Sequence, residues 1–204
     1  MPTHENHSRD EDQLFAIAQG QSGFFTAKQA EAAGFQRRNH SYHVRAGNWA
    51  REGRGIFRLK HFPVSDEADL VVWSLWSRDR SDQPTGVYSH ETALRIYDLS
   101  DLMPAKLHMT VPKTFRRSAP VPGVLVLHRG NLDTSEVEER EGYTVTRPIK
   151  TILDLINAGT LPEETVRSAF ADAVQKGLIT QSEIAQNLDA LAGVMAATRP
   201  PHAS

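Results

Sequence analysis

The chain has 204 residues, 39% of them apolar and 24% charged, with a net charge of −2 and no cysteine. This composition fits one large or two small globular domains and excludes a disulfide, a thiolate metal site and a cysteine nucleophile. No apolar run reaches the roughly 18 residues of a membrane span, and the polar, acidic start (MPTHENHSRDEDQ) lacks the segments of a secretory signal, so the expectation is a cytoplasmic protein.

In chain order, residues 1–9 are expected to be a disordered tail, followed by a helix over 10–19 with Leu14, Phe15, Ile17 and Ala18 as its apolar positions. Residues 20–23 form a loop. Thr26 and Gln29 have the spacing of a capping box, in which the hydroxyl and the amide satisfy free backbone N–H groups at a helix start. The short Ala-rich helix over 27–33 ends at Gly34, a residue suited to the left-handed turn after a helix. A second helix is predicted over 36–45, stopping at Gly47. Strands over 49–52 and 56–59 follow, joined by Gly53-Arg54-Gly55. Two helices across a tight turn and then a basic hairpin are the layout of a winged helix-turn-helix.

The charge agrees with that layout. Residues 21–60 hold eight Lys or Arg against two acids, a net of +6, inside a chain of net −2. One strongly basic segment is the electrostatic footprint of a nucleic-acid contact. At 3.6 residues per turn, Arg38, Ser41, Tyr42 and Arg45 share one helical face, and Gln36, His40, His43 and Val44 the other. The first face is assigned to base edges and phosphates, and the second to packing. Thr26, Lys28, Gln36 and Arg37 complete the helical part of the candidate DNA-binding set. Arg51, Arg54 and Arg58 supply the wing.

Pro63 and a change in the sign of the charge mark a boundary, with a winged helix over 10–62, a second domain over 63–191 and a loose tail over 192–204. Residues 61–204 carry 14 basic and 19 acidic residues. The second domain opens with a helix capped by Ser65. A second helix, capped by Ser89, is expected to run to Tyr97 or Asp98. Strands are expected over 106–111, 123–128 and 142–146. Pro148 then sits in the first turn of a helix, where its missing N–H is harmless. Another helix runs from Pro162 to Lys176, and Thr180 caps a last one to about Leu191. The fold class is therefore α+β, a winged helix-turn-helix followed by a mixed α/β domain.

No HExxH, P-loop or GxSxG pattern occurs. Ser89, His90 and Glu91 are triad residue types, but neighbours at a helix start point in different directions. His108 and His128 can face each other across paired strands, and two histidines alone make a weak metal site. The sequence therefore assigns no catalytic residue, no metal and no cofactor. Ser89, His90 and Thr92 are instead a candidate contact site between domains or with a partner.

These residues carry a resemblance to a family. Phe25-Thr26-Ala27-Lys28-Gln29-Ala30 with Gly34, Arg45-Ala46-Gly47-Asn48-Trp49, and Arg54-Gly55-Ile56-Phe57-Arg58 come first. Tyr88-Ser89-His90-Glu91-Thr92-Ala93-Leu94, Leu107-His108-Met109-Thr110-Val111-Pro112 and the run from Val145 to Leu155 (VTRPIKTILDL) follow in order. The chain resembles the AbiEi family of type IV antitoxins, transcription regulators with an N-terminal winged helix. The resemblance implies a non-enzymatic repressor that binds the operator of its own operon, as a monomer or dimer. It also implies pairing with a nucleotidyltransferase-like toxin. His40 and His43 depart from it, standing where the family has apolar core residues. The acidic motif of the nuclease-like domain carried by some relatives is missing, so that activity is not carried over. Two other classes compete: a protein-interaction module with an incidental basic patch, and a nucleic-acid enzyme.

Overall fold

The structure is a computed structural model that describes residues 4–63, 65–101, 103–118 and 120–195. The chain divides into two compact units. One comprises the residues up to Gly86 together with Glu139–Thr144, and the other comprises Val87–Glu138 and the chain from Val145 onward.

The first unit is built as α1 (His4–Gln19), β1 (Phe24–Thr26), α2 (Ala27–Ala32), a 3-10 turn (Arg37–Asn39), α3 (His40–Arg45), β2 (Trp49–Gly53), β3 (Ile56–Leu59) and α4 (Ala68–Trp76). Helix α1 starts six residues before the expected position 10, and so takes in much of the segment read as a disordered tail. The sheet order is β1-β3-β2, with both pairings antiparallel. Strand β1 escaped the sequence reading. It pairs Phe25 with Phe57 and Thr26 with Ile56, closing the wing onto the start of α2. The core is one cluster of Leu14, Ala18, Phe25, Ala30, Ala33, Phe35, Trp49 and Phe57. Gly23, at φ +86°, makes the turn into β1, and a Cβ there would meet the Phe62 ring at 2.5 Å.

Helix α4 groups with this unit, which moves the boundary from Pro63 to Gly86. The physical reason is the packing of α4 on β1 and β3, together with contacts made by the loop after it. Thr26 Oγ1 donates to Asp82 Oδ2 at 2.9 Å, and Arg78 Nη2 donates to Gln21 Oε1 at 2.6 Å. Lys28 Nζ donates to the carbonyl of Arg80 at 2.8 Å.

The second unit holds β4 (Val87–Tyr88), α5 (His90–Ile96), β5 (Leu107–Val111), β6 (Leu125–Arg129), β7 (Val137–Arg140), β8 (Tyr143–Thr146), α6 (Pro148–Ala158), α7 (Glu163–Gln175), α8 (Gln181–Gln186) and α9 (Leu188–Met195), the tip of the β7–β8 hairpin grouping with the first unit. The sheet order is β6-β5-β4-β8-β7. Strands β5 and β6 are parallel over five residue pairs, while β4 is antiparallel to β5 and parallel to β8. Helix α6 begins with proline at its first turn, and Gly159 ends it in the left-handed conformation, φ +58°. Its stripe of Ile152 and Leu155 is fully buried. The expected single C-terminal helix breaks at Asn187, whose side chain donates to the carbonyl of Glu183. No helix among the described residues is long and apolar enough to cross a membrane.

Candidate nucleic-acid interface and the histidine cluster

The capping box at Thr26 is present in both directions. Thr26 Oγ1 accepts from Gln29 N, and Gln29 Oε1 accepts from Thr26 N at 2.8 Å. Helix α2 ends at Gly34, whose φ of +97° lets the chain turn sharply beneath Asp10. The recognition segment is the 3-10 turn followed by α3, shorter than one regular helix. It has the two expected faces. Arg38, Ser41, Tyr42 and Arg45 are exposed, Tyr42 at 62%, whereas His40 and His43 are buried. An exposed tyrosine ring between two arginines on a convex helical face is suited to a groove, where the ring meets sugar or base edges and the guanidinium groups meet phosphates or guanine.

Other members of the set are sorted by their partners. Gln36 is exposed and not on the packing face. Arg37 lies 3.5 Å from Glu31, a surface pair of little energetic weight. Lys28 is exposed at the start of α2. Thr26 drops out as a DNA contact, because its side chain is buried and its hydroxyl is committed to Gln29 and Asp82. In the wing, Arg51 and Arg54 are exposed, and the Arg51 guanidinium lies 5.6 Å from the Phe57 ring centroid. Arg58 is half-buried, donating to Glu52 at 3.1 Å and to the carbonyl of Phe62 at 3.2 Å. It holds the wing together from within, which leaves Arg51 and Arg54 as the exposed wing arginines.

The two inward histidines act as flat aromatic core residues. His43 stacks on Trp49, with centroids 4.6 Å apart and 19° between planes, while His40 meets Trp49 and Phe57 edge-on. His40 Nε2 lies 2.9 Å from the carbonyl of Phe35. A carbonyl only accepts, so this nitrogen carries the proton. The ring thus gives a backbone carbonyl a hydrogen bond that a leucine could not supply.

In the second unit Ser89, His90 and Thr92 are interior, not a contact surface: Ser89 and Thr92 are fully buried and His90 nearly so. Ser89 occupies the N-cap position of α5 but makes no side-chain capping bond. Thr110 Oγ1 donates to Ser89 Oγ at 2.8 Å, and Ser89 Oγ lies 2.9 Å from His90 Nδ1. Thr92 Oγ1 accepts from the backbone N–H of His108 at 2.7 Å. His90 stacks on His128 at 3.6 Å, and His108 Nδ1 lies 2.7 Å from Glu91 Oε2 and 3.1 Å from His128 Nε2. The expected meeting of His108 and His128 across paired strands is therefore present. Ser89 and His90 do touch, contrary to the sequence expectation, yet the acid orients His108 and not His90. A serine with no exposed surface cannot attack a substrate, so the arrangement is no triad.

Charge is kept off the stacked rings. Burial, and then the neighbouring His128, push His90 down to about 4, and burial also lowers His128. Burial raises the Glu91 carboxyl, but His108, the backbone N–H and Thr160 outweigh it and hold the group near 2. His90, Thr110, His128, Arg129, Lys150 and Asp154 line a polar cavity of about 300 Å³. Lys150 is paired with Asp154. The described residues contain no cluster of three or more His, Cys, Asp or Glu side chains arranged to hold a metal ion.

Residues 12–60 match the family described as transcriptional regulator, AbiEi antitoxin. That segment is the winged helix of the first unit, and the resemblance read from its residues is borne out there. No curated protein matches the chain. Among solved structures, the crystal structure of the RV2827C protein from Mycobacterium tuberculosis is similar, with a TM-score of 0.55 at 13% identity, over 95% of this chain and 76% of that one. That likeness concerns the fold.

Proposed function

We propose, from the AbiEi winged helix at residues 12–60, that this chain is a sequence-specific DNA-binding repressor acting on the operator of its own operon in the cytoplasm. In this reading Arg38, Ser41, Tyr42 and Arg45 enter a major groove, Arg37 and Lys28 meet flanking phosphates, and Arg51 and Arg54 reach the backbone or minor groove from the wing. The observation that carries it is the segregation of faces on the recognition segment: a buried aromatic and histidine side beneath a wholly exposed Arg-Ser-Tyr-Arg side. A basic patch that was only a solvated face would have no reason to hold a bare tyrosine between two arginines.

The antitoxin role follows from family likeness. The chain is proposed to antagonise a nucleotidyltransferase-like toxin encoded beside it, with the second unit required for that antagonism. Its own chemistry there is non-enzymatic, because Ser89, the nucleophile type that invites a catalytic reading, is fully buried and its hydroxyl is taken up by His90 and Thr110. A reporter fused to the chain's own upstream DNA tests repression. It should be silenced by the full chain and released by Arg38→Ala. Co-expression with the neighbouring toxin gene tests antagonism. Growth rescue by the full chain supports it, and rescue by a winged-helix fragment alone would contradict the role of the second unit.

A further inference from the structure

We propose that the first unit contains a binding site for a small oxyanion-bearing metabolite, a carboxylate or a phosphate, and that filling it adjusts affinity for DNA. The site is a cavity of about 390 Å³ whose lining includes Gln21, Gln29, Ser74, Arg78, Arg140 and Thr144. All of these belong to one unit, since residues 139–144 group with the chain up to Gly86.

Two buried polar groups in its wall have no hydrogen-bond partner among the described residues. Arg78 is 9% exposed and Ser74 is fully buried, yet Arg78 Nε and Ser74 Oγ are both left unmet there. The rest of the Arg78 guanidinium is well held: Nη1 donates to the carbonyl of Asp82 at 2.6 Å and to its Oδ2 at 3.0 Å, and Nη2 donates to Gln21. Buried donors are rarely left unmet, and each unmet one needs an explanation such as a bound group. A guanidinium N–H and a hydroxyl in the lining of one cavity are oxyanion-binding chemistry. Glu139 also lines the cavity, where its carboxylate would accept a hydrogen bond from a ligand's ammonium or hydroxyl group.

The coupling to DNA follows from what else Arg78 touches. Asp82 Oδ2 accepts from both Arg78 and Thr26 Oγ1, and Thr26 is the N-cap of α2. Gln21 Oε1 accepts from both Arg78 and Gln29 Nε2, and Gln29 closes the same capping box. A ligand drawing on Arg78 therefore acts through two hydrogen-bonded routes on the first helix of the helix-turn-helix. Two linked sites of this kind alter one another's affinity reciprocally, by roughly 5–150-fold in typical cases.

The coupling rests on the DNA-binding reading, whereas ligand binding can be measured without DNA. Succinate, glutamate and inorganic phosphate would be titrated into the full chain by calorimetry and thermal shift, with chloride as the ionic-strength control. At least one should bind saturably. Ser74→Ala should leave the unliganded protein as stable as before, because its hydroxyl has no partner, and should weaken binding at least roughly fivefold, as loss of a hydrogen bond to a charged group does. Selective binding of succinate or glutamate identifies a carboxylate site, and selective binding of phosphate identifies a phosphate site. Failure of all three probes to act beyond chloride, or wild-type binding by Ser74→Ala, would overturn the site. Unchanged affinity for the upstream DNA with the ligand bound would overturn its regulatory role.

Discussion

Acid should weaken the second unit in a way traceable to one side chain. His90 has its pKa lowered from 6.5 to about 4 by burial and by His128. Between those values the unfolded chain binds a proton that the folded chain refuses. The stability is therefore intact above pH 6.5 and is lost as pH falls through that window. With the unfolded ring almost wholly charged at pH 5 and the folded ring mostly neutral, the loss from pH 7 to pH 5 comes to about 2 kcal/mol for this residue. His128 is lowered in the same direction and adds to it, while Glu91, held near 2, acts at lower pH with the same sign. The discriminating variant is His90→Asn, because position 90 has φ +52° and asparagine is among the few side chains that tolerate that region. Trp49, Trp73 and Trp76 all lie in the first unit, so tryptophan fluorescence does not follow this event. Urea denaturation would instead be read by hydrogen exchange in α5 and β5. The wild type should lose about 2 kcal/mol or more between pH 7 and 5, and His90→Asn less than half of that. Equal losses in both would refute the assignment to His90.

Three further outcomes are expected. Arg51→Ala and Arg54→Ala should each flatten the dependence of log affinity on log salt by roughly 1, whereas Arg58→Ala should leave that slope nearly unchanged and lower thermal stability, since its guanidinium is spent on Glu52 and Phe62. Thr26→Ala removes the cap of α2 and the donor to Asp82, and should cost about 0.5–2 kcal/mol in chemical denaturation, with no change expected if the cap is dispensable. Gly23→Ala brings a methyl group to 2.5 Å from the Phe62 ring at a φ of +86°, and should destabilise by about 1–3 kcal/mol; an unaltered melting curve would show that the turn relaxes freely.

The elements with strong local signals were legible in the sequence. The capping box at Thr26, the cap at Thr180, the glycine at 34, the wing strands and the proline-started α6 all lie where their residues put them. Short or edge elements were not. Strand β1 is three residues long, too short for an alternating pattern, and β7 reads Val-Glu-Glu-Arg, a charged strand at the sheet edge where such residues deter further pairing. The domain boundary was misread because an amphipathic helix does not reveal which core it joins. Leu70, Val71 and Leu75 mark α4 as buried on one side, but it takes the packing of α4 on β1 and β3 and the contacts of Arg78 and Asp82 to assign it to the winged helix. The polar interior around Ser89 depends on Thr110, which lies 21 residues away, and no local rule anticipates that partner. The outward face of the recognition segment was legible because helical periodicity alone determines it, and the burial of His40 and His43 followed from the same periodicity. Their use as aromatic rings did not.

The most direct measurement is a fluorescence-anisotropy titration of the full chain, wild type and Arg38→Ala, on its own upstream DNA and on a shuffled duplex of equal length at one fixed salt concentration. The wild type should prefer its own DNA by roughly 10³-fold or more. Arg38→Ala should lose about 1–3 kcal/mol on that DNA while changing little on the shuffled one. Equal binding of both duplexes by the wild type, untouched by the substitution, would contradict a sequence-specific regulator.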